Sequence, residues 1–199
     1  MHKRTVILLI VLGVLALSLL FFAVFLKKNN SRQVLQPKND LILTSVEKTV
    51  KVSFDPQELS VKRFSSSSAT NVQILVDTGK NSVSGVQLEL LFDPKAFLSF
   101  DIIPAQDSIL GKIDKDYVVM SENVNLANGS ASFIAGIGTN NNIPRTGNGA
   151  VAVITFQVNP SFTGDSTPIT FIKTKSFVTQ KNVKESVLSS LTPLIINIE

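Results

Sequence analysis

Glu89 and Asp93 are the first residues to weigh for acid–base chemistry, because glycoside hydrolysis runs on a pair of carboxylates set across the scissile bond. They stand four residues apart, one inside an alternating apolar stretch and the other at its Asp93-Pro94 end. That spacing puts them on different sides of a turn rather than in a poised pair. Asp107, Asp114 and Asp116 gather in the stretch 105–116, and Asp114-x-Asp116 offers the hard oxygen ligands calcium prefers. The stretch lacks the Asp/Asn/Gly spacing and closing Glu of an EF-hand loop, so it reads as a solvated acidic loop. No metal site is assigned.

The remaining residue types narrow the chemistry further. The one His is His2, at the N-terminus, which excludes a His-based triad and argues against zinc. There is no Cys, hence no disulfide and no thiolate ligand. With no Trp and only Tyr117 among the tyrosines, and with Phe falling mostly at inward positions, the planar platforms that stack sugar rings are scarce. Asn128-Gly129-Ser130 fits a glycosylation sequon, but Asn-Gly at a strand connection is better explained as a turn.

The elements that would position any site are strands. Ser84 to Pro94 organises the chain. Val86, Leu88, Leu90 and Phe92 fall on one side of an extended strand and Gln87, Glu89 and Leu91 on the other, because side chains alternate faces with a period of two. Ser84-Gly85 and Asp93-Pro94 bound it with turn formers. The same design recurs. Val50, Val52 and Phe54 alternate before Asp55-Pro56. Val72, Ile74 and Val76 lead into Asp77-Thr78-Gly79-Lys80-Asn81, a connection suited to antiparallel neighbours.

Phe97 to Ile103 is a strand closed by Pro104, and Tyr117 to Met120 is a short apolar run. In Ser130 to Ile137, Ala131, Phe133 and Ala135 oppose Ser132, Ile134 and Gly136. In Gly149 to Val158, Ala152, Ile154, Phe156 and Val158 oppose Val151, Val153, Thr155 and Gln157. Pro168 to Thr179 and Pro193 to Ile198 supply the last two strands, while Ser65–Ser68 and Gly138–Asn148 read as loops. Eight or nine short strands without helical periodicity predict an all-β, two-sheet sandwich.

Charge separates this domain from what precedes it. Residues 1–40 hold six Lys/Arg and one acid, whereas residues 41–199 hold 13 bases and 14 acids, so the net charge of +4 belongs to the N-terminal part. A near-neutral domain lacks the electrostatic footprint of a nucleic-acid binder. After a short tail (residues 1–4), Thr5 to Leu26 is a run of 22 uncharged, mostly apolar residues, long enough for a transmembrane helix. Its length, with Leu19-Leu20-Phe21-Phe22 following the one small-x-small pair, favours an anchor over a cleaved signal peptide. Lys27, Lys28 and Arg32 outnumber Lys3 and Arg4, which by the positive-inside rule weakly favours a cytoplasmic domain. Residues 27–40, polar and containing Pro37, form a linker to a domain over 41–199.

The order of segments resembles a cohesin domain, the receptor module of cellulosome-type assemblies. The residues that carry the resemblance are Val72 to Gly79, Ser82 to Pro94 and Gly149 to Val158, and the likeness covers about Lys48 to Glu199. It implies a nine-stranded jelly roll without catalytic activity that docks a calcium-loaded dockerin through one sheet face, calcium residing on the partner and no cofactor on this chain. It also places the domain outside the cell membrane, on a single-pass anchor, with a role in polysaccharide breakdown. By motif, the strand at 86–92 lies in that face. Gln87, Glu89 and Leu91 become the contact candidates, with Ser132 and Ile134 beside them. Gln87 and Glu89 equally suit a plain solvated face. A carbohydrate-binding surface protein and a structural envelope protein are the alternatives on the same sandwich.

Overall fold

Period-two alternation folds this chain into two β-sheets packed face to face. The computed structural model describes residues 46–63, 69–138 and 143–199, and the stretch from Ser45 to Glu199 forms one compact unit. The apolar segment 5–26, the linker 27–40, the serine run 65–68 and the tip of the loop at 139–142 lie outside the described residues. Among the described residues, no helix is long and apolar enough to cross a membrane.

One sheet has five strands: β1 (Val50–Asp55), β3 (Thr70–Asp77), β5 (Phe97–Pro104), β8 (Asn148–Val158) and β11 (Leu188–Leu191), in the order β11-β1-β3-β8-β5. The other has seven: β2 (Glu58–Val61), β4 (Gly85–Phe92), β6 (Tyr117–Asn125), β7 (Ser130–Ile137), β9 (Ser166–Phe171), β10 (Phe177–Thr179) and β12 (Leu194–Ile198). Its order is β2-β12-β9-β4-β7-β6, with β10 also paired to β4. The alternating sets read from sequence form the core between the sheets: Val50, Val52 and Phe54; Val72, Ile74 and Val76; Val86, Leu88, Leu90 and Phe92; Ala131, Phe133 and Ala135 are all buried. Phe92 stacks on Phe100 with ring centroids 4.1 Å apart, and Phe97 packs edge-on against Phe156 at 5.2 Å.

Five expectations need correction. Twelve strands are present rather than eight or nine, because β2 and β11 pair in parallel with β12 and β1 and carry no buried alternating set. The connection Asp77 to Asn81 does not join antiparallel neighbours. It carries the chain from one sheet to the other, held by Thr78 N–H donating to the Gly147 carbonyl at 2.9 Å and Gly147 N–H to Thr78 Oγ1 at 2.8 Å.

The stretch Pro168 to Thr179 is two strands. β9 pairs with Leu90–Phe92 and β10 with Gly85–Gln87 on the same edge of β4, separated by a turn in which Ser176 N–H donates to the Ile172 carbonyl at 2.9 Å. The apolar run at Tyr117 continues as a strand to Asn125. Val151, expected on the face opposite Ala152, is buried like it, because the ladder slips where Leu75 pairs with Ala150 and Ile74 with Ala152, which leaves Val151 as a bulge.

Candidate protein-docking face

The outward face of the seven-stranded sheet is positioned by β4. Its inward residues are locked in the core, so Gln87, Glu89 and Leu91 must point away from it. The register with β7 then sets Gln87 opposite Ile134, Glu89 opposite Ser132 and Leu91 opposite Ser130. All five residues singled out from sequence therefore lie on one face, four of them as direct cross-strand pairs. β6 extends the rows, with Ser121 beside Ile134, Asn123 beside Ser132 and Asn125 beside Ser130.

β10 and β6 contribute residues that sequence reasoning missed. Phe177 stands opposite Gln87, and Val118 stands opposite Gly136. Met120 is the bulged residue of β6 and lies over Gly136, its methyl 3.1 Å from where a Cβ would be. Leu91 is 49% exposed, Val118 46%, Met120 65% and Phe177 43%. An apolar group of Phe177, Ile134, Val118 and Met120 thus occupies one end of the face around Gln87. A polar row of Glu89, Ser132 and Asn123 follows it, and Leu91 stands at the far end. The signal for β6 was present in the unbroken run Val118-Val119-Met120, since three successive apolar residues on a strand cannot all be inward. Phe177 gave no signal while Pro168–Thr179 was taken as one strand.

The break between β9 and β10 shapes the face beside Glu89. Glu89 N–H donates to Ser176 Oγ at 3.2 Å, and its carbonyl accepts from Ile172 N–H at 2.7 Å. The turn between them carries Lys173 and Lys175, both exposed, so two cations flank the one acid of β4.

The other carboxylates are accounted for elsewhere. Asp93 Oδ1 accepts from Lys95 N–H at 2.9 Å in the turn after β4, apart from the outward row that holds Glu89. Asp116 is not the solvated acid expected of its loop. Its Oδ2 accepts from Lys112 N–H at 3.0 Å and lies 3.7 Å from Arg145 Nη2, with the side chain largely buried. Among the described residues no group of three or more His, Cys, Asp or Glu is arranged to hold a metal. Asn128-Gly129 is a turn as expected. A single 3-10 turn (Leu126–Asn128) ends at Gly129, whose φ of 63° and close approach to the Phe92 carbonyl suit glycine.

Tyr117, at the start of β6, is fully buried and donates to the Ala105 carbonyl at 3.4 Å. Burial holds its phenol above the usual 10.0; a hydrogen bond with Ser108 pulls it back, and the charge of Asp114 adds to the rise. It pins the acidic loop to the sandwich and takes no part in the face.

This architecture is a cohesin-like sandwich with one open, half-apolar sheet face. The cohesin CaCohA2 of Clostridium acetobutylicum, in a complex with CaDoc0917, has TM-score 0.60 and 18% identity over 76% of this chain and 100% of that one. The third ScaC cohesin of Acetivibrio cellulolyticus, in complex with the ScaB dockerin, has TM-score 0.58 and 17% identity over 75% and 99%. A type I cohesin–dockerin complex of Clostridium thermocellum (Coh-OlpA-Doc918) has TM-score 0.59 and 14% identity over 76% and 99%. At these identities the likeness is one of fold. No protein-family model matches the sequence, and no curated protein matches it.

Proposed function

We propose that this chain is a non-catalytic, cohesin-like receptor that docks a dockerin-type protein on the outward face of its seven-stranded sheet. The observation that carries the reading is the row structure of that face. Gln87 sits between Phe177 and Ile134, with Val118 and Met120 alongside, so large exposed apolar side chains are gathered where an isolated sandwich would place polar ones. The cohesin neighbours solved with dockerins support the class of partner.

Residues 5–26 would anchor the protein in the cell membrane as a single span. Residues 27–40 would tether an extracytoplasmic domain over 41–199 and so serve polysaccharide breakdown at the surface. Calcium belongs to the partner. The test is capture of surface and secreted proteins by the full-length chain, with calcium and with chelator. The expected result is capture of one protein that is lost on chelation and lost again when Gln87, Glu89 and Leu91 are changed together to Ala. Capture that survives the triple substitution would move the site off this face.

A further inference from the structure

The opposite sheet carries a second concavity that the docking reading does not use. The β8 bulge at Val151 and the strap 105–110 build it. Ala105 N–H donates to the Val151 carbonyl at 3.2 Å and Ile109 N–H to the Ala150 carbonyl at 2.8 Å, drawing the strap across the end of β8. Gly149 permits this approach, since a Cβ there would stand 3.2 Å from Cβ of Ile109. The result is an open hollow of about 550 Å³ on the outer surface of β3, β8 and β5, within the size range of small-ligand sites.

Its chemistry is specific. Leu75, Val153 and Ile103 form an aliphatic floor, with Gln73 and Val153 paired across β3 and β8 and Val153 and Ile103 across β8 and β5. Gln73, Gln106 and Asn148 stand around it with Asp107. None of these four side chains bonds another described residue, whereas the next row along the sheet is closed by Thr155 Oγ1 donating to Asn71 Oδ1 at 2.8 Å. Three carboxamides present donors and acceptors together, which matches hydroxyl groups, and an aliphatic floor packs against C–H faces. The lining holds no Lys or Arg to attract an anion, and one carboxylate alone does not make a cation site.

The geometry points to a neutral oligosaccharide as the ligand of this hollow, bound on the sheet opposite the docking face. A protein so built would hold a partner on one side and glycan on the other. The test is calorimetric titration of the full-length chain, in a sugar-free detergent, with tetrasaccharides of glucose, xylose and mannose. Side-chain amide resonances of Gln73, Gln106 and Asn148 are followed alongside. The proposal expects saturable binding of at least one sugar, shifts in those amides, and a loss of about tenfold or more in affinity for Gln73→Ala/Asn148→Ala at an unchanged melting temperature. Gln87→Ala/Glu89→Ala, on the other sheet, leaves sugar binding unchanged. Absence of saturable heat with all three sugars, or equal affinity in the Gln73→Ala/Asn148→Ala protein, would overturn it, and neither result bears on partner capture.

Discussion

Leu88 and Leu91 are three residues apart on β4 and have opposite fates. Leu88 is fully buried, so Leu88→Ala removes core contacts and leaves a cavity, at a cost of about 2 to 5 kcal/mol in a urea unfolding curve. Leu91 is 49% exposed, and Leu91→Ala should leave stability within about 0.5 kcal/mol of the parent. The same chemical change therefore separates a packing role from a contact role.

Tyr117 gives a prediction in pH. Its folded phenol is held above 10.0, chiefly by burial, so the unfolded chain loses that proton first as pH rises. Stability from the neutral phenol is complete below pH 10.0 and declines as pH climbs through the folded value. Thermal melts at increasing alkaline pH should show a drop that Tyr117→Phe lacks, while the lysine titration common to both proteins cancels. Equal alkaline slopes would contradict this account of the phenol.

At the scale of elements, what could be read from the sequence depended on burial. Strands whose apolar residues alternate into the core, β1, β3, β4, β5, β7 and β8, were legible because one face of each is apolar by necessity. β2 and β11 were not, since Glu58–Val61 and Leu188–Leu191 bury no alternating set and gain their strand character from parallel partners far along the chain. The β9–β10 break was hidden for a related reason: Ile172 to Ser176 is bonded to Glu89 of another strand, a contact that local pattern does not encode.

The outward residues of β4 and β7 followed from parity alone. Phe177, Val118 and Met120 required the register of β10 and β6. The turn between β6 and β7 belongs to this scale too. Gly129→Ala should cost more than about 1 kcal/mol, because φ there is 63° and the Phe92 carbonyl occupies the space a Cβ needs. A denaturation midpoint no lower than the parent's would show that the turn relaxes freely.

For the whole molecule, the two sheets offer different chemistries to the outside. The seven-stranded sheet presents large apolar side chains with Glu89, Lys173 and Lys175 near its centre, the pattern of an interface with an apolar core and charged rim. The five-stranded sheet presents carboxamides around an aliphatic hollow. Phe177 is the residue whose truncation should weaken docking most, since a half-exposed aromatic ring beside Gln87 is the side chain best suited to fill a partner's pocket.

The most direct measurement is the affinity of the captured, calcium-loaded partner for the full-length chain and for its Phe177→Ala and Gln73→Ala forms, by titration calorimetry. The account predicts a loss of about thirtyfold or more for Phe177→Ala, equivalent to about 2 kcal/mol, with Gln73→Ala unchanged. Full affinity in the Phe177→Ala protein together with a loss in Gln73→Ala would place the partner on the five-stranded sheet and contradict the account.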